Sequence, residues 1–289
     1  MVEFEFSRIR LEYTALTDFK QPYFLGSSFR GVLGKRLKKI VCIKPREDCK
    51  VCEFNKTCPY TVIFETELYL NMPSKYVLQP EYDLKQLKEG DKLNIDITLL
   101  GFASNYWEFI IQSLNTVINL GKERFIKQSA VYYYHPFASR YEPLKSVVPR
   151  FNAKDFFDIR TGKEEINIRL SPTSLKFGGK YIKANEFNKD YLIKAIVSRV
   201  SNVAQNYGNK TDKIFINKSK LEITDQNMKP APLKRWSNRK KKKMIVPAFE
   251  GSFKLKGDIN EIYPYLLILE NINLGKSTSF GLGVVRTDL

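Results

Sequence analysis

INLGK occupies residues 118–122 and returns unchanged at residues 272–276. Each copy follows apolar residues spaced three and four apart: Trp107, Ile110, Ile111, Leu114, Val117 and Ile118 before the first, and Ile262, Leu266, Leu269 and Ile272 before the second. That spacing is the signature of an amphipathic helix, and Gly121 and Gly275 then stand where a left-handed cap would end one. Pro264 falls early enough in the second helix to be tolerated.

Working outward from each copy gives one order of elements twice. The first half offers a strand over residues 2–13, a helix over 27–41, strands near 61–70 and 92–100, the helix before INLGK, and a strand through 131–134. In the second half a strand at 166–170 precedes a helix over 186–207 that Gly208 stops. Strands near 214–223 and 244–255, a helix and a final strand at 283–286 follow. Both halves read β-α-β-β-α-β, so the expected fold class is α+β: tandem ferredoxin-like (RRM-like) domains with a C-terminal glycine-rich loop. The expected boundaries are an N-terminal domain at 1–135 with a four-cysteine insertion at 42–58, and a linker rich in Pro, Arg and Lys at 136–163. A C-terminal domain with a basic hairpin and the glycine-rich loop fills 164–289.

At 289 residues and 43% apolar content the chain can bury two modest cores. No apolar run reaches the ~20 residues of a membrane helix, and the first ten residues hold alternating charges rather than a secretory apolar stretch. A cytoplasmic protein without membrane contact is expected. The formal net charge is +17, which repels itself in a compact chain unless an anionic partner is near. Nucleic acid is the leading partner, because each neutralised phosphate releases counterions. A lysine-rich surface without a specific ligand is the alternative.

GKSTSFGLG, residues 275–283, tempts a nucleotide-cradling reading through Gly275-Lys276-Ser277-Thr278. That motif needs a glycine five residues before the Gly-Lys pair, where Glu270 stands. It also needs a strand before the loop and a helix after it, and the order here is reversed. The loop suits an extended phosphate chain instead. Gly275, Gly281 and Gly283 permit close backbone approach, Lys276 adds charge, Ser277, Thr278 and Ser279 add donors, and Phe280 offers a ring for a base or the core. Seven of the ten residues from Lys234 to Lys243 are basic. Repulsion among Lys240, Lys241, Lys242 and Lys243 favours a solvated hairpin tip. Trp236 suits stacking on an unpaired base, and Arg235 and Arg239 suit bidentate contacts.

All four cysteines fall within seventeen residues, Cys42, Cys49, Cys52 and Cys58, spaced C-x6-C-x2-C-x5-C. Four thiolates can close a structural zinc site without an open position for catalysis. An iron-sulfur cluster uses similar ligands, and disulfides are the third arrangement. Free thiols are the fourth, and the sequence leaves all four open.

Four stretches carry a family resemblance: GSSFRGVLGKRLKKIVC, CKVCEFNKTCPYTVIFE, RWSNRKKKKMIVPAFEGSFKLKG and GKSTSFGLGVV. Together with the duplicated order they resemble the RAMP superfamily of CRISPR-associated proteins, and within it the repeat-RNA-processing endoribonucleases of the Cas-six group. The resemblance implies an antiviral-defense endoribonuclease that cuts CRISPR repeat RNA into guide units. It implies 2′-hydroxyl attack on the adjacent phosphate to leave a 2′,3′-cyclic phosphate, with no cofactor for catalysis. A non-catalytic RAMP subunit that binds guide RNA among the subunits of a CRISPR effector complex is the alternative. Members commonly use a first-half histidine near the first helix, and this sequence has none there. The only histidine, His135, is of a residue type suited to proton transfer near neutral pH. The other catalytic candidates are Lys35 and Lys38 on the polar face of the first helix, the flanking Arg30, and Tyr23 just upstream.

Overall fold

Ile9, Leu11, Tyr13 and Ala15 alternate with Arg8, Arg10, Glu12 and Thr14, and the chain forms strand β1 (Glu5–Ala15) with the first set fully buried. The computed structural model describes residues 2–65, 72–82, 86–209, 213–237 and 242–288. They divide into two units, Glu5–Phe151 and Met1–Phe4 with Asn152–Leu289.

In the first unit β1 leads through the two-residue β2 (Phe19–Lys20) to helix α1 (Leu25–Val41) and then α2 (Pro59–Phe64). After these come β3 (Tyr76–Pro80), β4 (Gln86–Leu87), β5 (Lys92–Leu100), helix α3 (Trp107–Leu114), β6 (Val117–Asn119), β7 (Phe125–His135) and β8 (Arg140–Pro143). The short β9 (Phe151–Asn152) stands at the boundary. The sheet path is β3-β5-β1-β7-β6, every pairing antiparallel. Leaving aside β6, the strands stand in the order second, third, first, fourth. That is what two split β-α-β units make. Leu25, Phe29, Leu33 and Leu37 of α1 pack on the apolar face of β1, with the Phe29 ring edge-on to Tyr13 at 5.3 Å. Each such side chain contributes about 1.5–3 kcal/mol when removed from water.

The second unit repeats the plan. β10 (Glu165–Thr173) precedes the small hairpin β11 (Lys176–Phe177) and β12 (Lys180–Tyr181), then helix α4 (Lys189–Tyr207), capped by the Asn188 side chain. β13 (Leu221–Pro230), the hairpin β14 (Leu233–Ser237) and β15 (Lys242–Val246), and β16 (Phe249–Gly257) come next. Helix α5 (Ile259–Ile272) and β17 (Val285–Thr287) close the chain. The order β13-β16-β10-β17 is again second, third, first, fourth, and antiparallel throughout. The α+β class and its twice-used plan therefore stand in the coordinates.

Several expectations are corrected. A strand was expected near 61–70, but Pro59 opens helix α2 at its first position, and β3 supplies the second strand; residues 66–70 lie outside the described set. The helix expected to reach Ile118 ends at Leu114. Val117 and Ile118 belong to β6, where Ile118 faces Ile126 in register. Gly121, at φ 92°, turns the β6–β7 hairpin rather than capping a helix, and its N–H donates to Asn119 Oδ1 at 2.7 Å. An asparagine that bonds its own backbone two residues on favours a turn over another helical residue. In the second copy the helix does end at INLGK, with Asn273 at φ 58° and Gly275 at φ 82°. The pentapeptide therefore marks different structures, and strand order is what the halves share.

Residues 136–163 do not form a free linker. Tyr132, Tyr133, Tyr134 and His135 of β7 pair with Pro143, Glu142, Tyr141 and Arg140 of β8, and Ala153 and Phe156 are buried in the second unit. The aromatic residues among its prolines and cations supply the apolar contact that a linker lacks. Among the described residues no helix is long and apolar enough to cross a membrane.

Candidate functional site

The glycine-rich loop is built largely from within. Gly283, at φ 75°, sits where a Cβ would fall on the Leu274 carbonyl, and a Cβ on Gly275 would come 2.5 Å from the Ser174 carbonyl oxygen. The N–H of Leu274 donates to Gly283 O at 2.7 Å, that of Gly283 to Pro172 O at 2.8 Å, and that of Lys276 to Ser174 O at 2.8 Å. Phe280 and Gly281 donate to Ser277 and Thr278 carbonyls. Those amides are committed to protein rather than turned outward. Thr278 and Ser279 are buried, whereas Lys276 is exposed and Phe280 half-buried.

Arg199, which sequence reasoning passed over, holds this loop. From α4 its Nε donates to the Ile272 and Asn273 carbonyls, both at 3.2 Å. Its Nη2 donates to Ile272 O at 2.7 Å and Thr278 Oγ1 at 3.2 Å. The guanidinium thus meets the C-terminal carbonyls of α5, the negative end of the helix dipole. Burial without a carboxylate lowers it to about 10, so it is charged at neutral pH. The signal was in the sequence: Leu192, Ile196, Arg199 and Val203 follow helical spacing, and an arginine on the apolar stripe needs a buried partner. Arg199→Leu is expected to leave two buried carbonyls without donors and to destabilise the protein by about 2 kcal/mol, read by urea unfolding.

The basic hairpin meets the loop at its base. The Arg235 guanidinium lies over the Phe280 ring at 4.4 Å and its Nη2 is 3.9 Å from Met244 Sδ. Arg235 pairs in register with Met244, and Trp236 with Lys243. Lys242 and Lys243 are exposed. Arg239, Lys240 and Lys241 lie outside the described residues, as does the side chain of Trp236.

In the first unit, the cations of α1 separate onto two sides of the helix. Arg30, Gly34 and Lys38, four apart, face α2. The Arg30 guanidinium lies 5.3 Å from the Phe64 ring centre, and the Lys38 ammonium 5.4 Å from that of Tyr60. Phe64 and Tyr60 stack on each other at 5.7 Å. Gly34 makes room: a Cβ there would meet Phe64 at 2.7 Å. The Tyr60 hydroxyl donates to Glu65 Oε1 at 3.0 Å, and burial together with that carboxylate pushes its pKa up. Lys35, expected to act with Lys38, instead lines a cleft of about 370 Å³ with Val32, Arg36, Lys39, Ile118 and Asn119. Tyr23 is exposed at the approach to α1. His135 is set in the β7–β8 turn, where Nδ1 accepts the Ala138 N–H at 3.2 Å and the ring packs edge-on against Phe151 at 5.1 Å. Its described contacts include none with α1.

The four cysteines are half-buried free thiols. Cys42 follows the last turn of α1 and Cys58 caps α2, with Lys44 bridging Glu47 and Glu53 between them. Burial pushes the Cys49 thiol up, and Lys38 beside it opposes that shift. Among the described residues no group of three or more His, Cys, Asp or Glu side chains is placed to hold a metal ion. The residues as arranged do not fit the expected zinc or cluster, and no disulfide links them.

Each unit therefore carries a cationic surface on a ferredoxin-like plan: α1 with α2 in the first, the hairpin with the glycine loop in the second. Residues 169–285 match the family described as CRISPR-associated endoribonuclease Cas6, and residues 4–135 match one described as an N-terminal domain. The C-terminal part of the chain is thus similar to the CRISPR-associated Cas6 endoribonucleases. Solved Cas6 structures share its fold at low identity. A Thermus thermophilus Cas6 is 12% identical, with 99% of each chain covered and a TM-score of 0.59. A RAMP protein binding different RNA substrates is 13% identical over 98% of this chain and 100% of its own, with a TM-score of 0.55. The chain also spans 46% of one in a partial Cas6-RT-Cas1–Cas2 complex, at 14% identity, 99% coverage of this chain and a TM-score of 0.58. A comparison with curated protein sequences found no match.

Proposed function

We propose that the protein is a Cas6-type endoribonuclease that cleaves CRISPR repeat RNA to guide units by attack of a ribose 2′-hydroxyl on the adjacent phosphate, leaving a 2′,3′-cyclic phosphate. The nucleophile belongs to the RNA, so the protein must hold the strand in line, move protons and stabilise the extra charge on the pentavalent phosphate. None of these tasks requires a metal. The observation that carries the reading is the cluster on α1 and α2, where Arg30 and Lys38 flank the Tyr60–Phe64 pair. Arg30 and Lys38 neutralise the phosphate, and Tyr60, neutral because its pKa is raised, relays a proton with Glu65 at its hydroxyl. Tyr23 orients the strand at the approach to α1.

In the second unit Lys276, Phe280, Arg235, Lys242 and Lys243 grip the RNA through phosphates and stacking, and from the sequence we assign the same role to Trp236, Arg239, Lys240 and Lys241. Ser277, Thr278 and Ser279 with Gly275, Gly281 and Gly283 shape the loop. Other CRISPR subunits receive the product.

The second reading, a RAMP subunit that binds guide RNA without cutting it, draws on His135, whose Nδ1 already accepts a turn amide. Incubating the protein with its cognate repeat RNA in EDTA separates the two. A single cut whose upstream fragment resists phosphatase until acid opens the cyclic phosphate is the expected result. Tight binding with intact RNA would instead establish the binding subunit.

A further inference from the structure

Five of the seventeen residues of α1 are basic and none is acidic. On the side away from α2, Lys35, Arg36 and Lys39 surround the cleft whose floor is Val32 and the edge strand β6 through Ile118 and Asn119. Several surface cations elsewhere pair with carboxylates: Lys92 with Glu12, Lys154 with Glu3, Lys218 with Asp190, Lys220 with Asp258 and Lys254 with Asp225. Among the described residues no carboxylate lies within ion-pair distance of Lys35, Arg36 or Lys39. The one protein contact recorded for their head groups is a long hydrogen bond from Arg36 Nη2 to Val117 O at 3.4 Å. Three uncompensated cations within about one and a half helical turns repel one another, and the arrangement calls for an anion.

We propose that this cleft is a second RNA-binding station, taking one nucleotide of the single strand away from the reacting phosphate. A polyanion is favoured over a lone phosphate by the floor. The half-buried Val32 offers apolar contact to a ribose or base, while Lys35, Arg36 and Lys39 meet the flanking phosphates. Asn119 contributes its carbonyl oxygen to the Gly121 N–H at 2.7 Å, which leaves its amide N–H group for a base edge or ribose hydroxyl. The proposal rests on the RNA-processing reading and extends it. The α2 side of the helix handles the scissile phosphate, and the β6 side holds the strand that runs on from it.

The test is binding of a fluorescent oligouridylate of about 20 nucleotides across a salt series. The protein is compared with the pair Arg36→Ala/Lys39→Ala, with the control pair Lys88→Ala/Lys145→Ala, and with Lys242→Ala/Lys243→Ala in the hairpin. Five of the six side chains are exposed and Arg36 is half-buried, so folded variants with nearly unchanged melting are expected. Arg36→Ala/Lys39→Ala should weaken binding about tenfold and reduce the slope of log K against log salt by about 1.4, two single-strand phosphates at 0.7 each. The control pair should change neither. If the α1 pair binds like the wild type, or the control pair loses as much, the station does not exist and the hairpin result stands by itself. If the wild-type protein fails to bind the oligomer even at low salt, the RNA reading itself fails with it.

Discussion

Asp96→Ala is expected to lower the unfolding free energy by about 3–5 kcal/mol, because it removes the buried carboxylate that Arg8 and Arg10 share. Arg8 and Asp96 are both buried in the first unit's sheet. Arg8 Nε donates to Asp96 Oδ2 at 3.0 Å, and its Nη2 bonds the same carboxylate oxygen and, at 3.0 Å, the Tyr141 hydroxyl. Arg10 reaches Oδ1 at 2.7 Å, and Tyr141 donates to Oδ2. The rings of Tyr134 and Tyr141 complete the enclosure, 4.5 Å and 3.5 Å from the Arg8 and Arg10 guanidinium carbons. Burial alone would raise the Asp96 carboxyl, but Arg8 and Arg10 outweigh it and hold it below the usual carboxylate range.

One carboxylate serves two arginines here, so its removal takes away the charge that offsets their mutual repulsion. Since the folded value lies below the unfolded one, Asp96 contributes fully at neutral pH. The contribution is lost as pH falls below about 4 and through the folded value. The gap between wild type and Asp96→Asn should therefore narrow in acid, as urea unfolding at two pH values would show. A variant as stable as the wild type at pH 7 would mean that water, not Asp96, compensates Arg8. Tyr141→Phe, which removes one hydroxyl and keeps the ring, should cost about 1 kcal/mol.

That network explains why the chain was legible in some places and not in others. Strands such as β1 from Ile9 onward and β10 alternate, and helices α1 and α4 carry apolar residues at every third or fourth place. Local pattern is enough for them. Tyr141 reads as part of a proline- and cation-rich linker because its reason for being ordered, the Arg8–Asp96 pair, lies 133 and 45 residues away along the chain. Arg199 is similar, since its carbonyl partners come from the far end of α5. The hairpin at Gly121 was misread for the opposite reason. Val117 and Ile118 continue the helical period of α3 by spacing alone, while the strand partner that overrides it is β7. The candidate site was half visible. Glycines, the basic run and the cations of α1 stand out as composition, but the division of those cations into an α2 side and a β6 side depends on α2, which reads as a strand.

Lys38→Ala is expected to slow repeat-RNA cleavage about 10²–10³-fold while changing RNA affinity less than about tenfold. The reason is position rather than charge alone. A lysine carries about 2 kcal/mol of rotamer entropy, and a free one such as Lys35 must lose it each time it meets a phosphate. Lys38 is half-buried, its ammonium beside the Tyr60 ring and near Cys49, so part of that ordering is already done when RNA arrives. Gly34 and Phe64 make this possible: the ring fills the place of a missing side chain and sets Tyr60, one helical turn earlier, over Lys38. Two further variants separate the roles. Lys38→Arg keeps the charge and should retain more activity than Lys38→Ala. Tyr60→Phe keeps the ring that orders Lys38 but removes the hydroxyl held by Glu65 at 3.0 Å; a slower cut with unchanged binding would assign the proton relay to that hydroxyl. Single-turnover cleavage with saturating protein reads the chemical step without product release. Wild-type rates for Lys38→Ala in a variant that melts normally would move the chemistry off this face of α1.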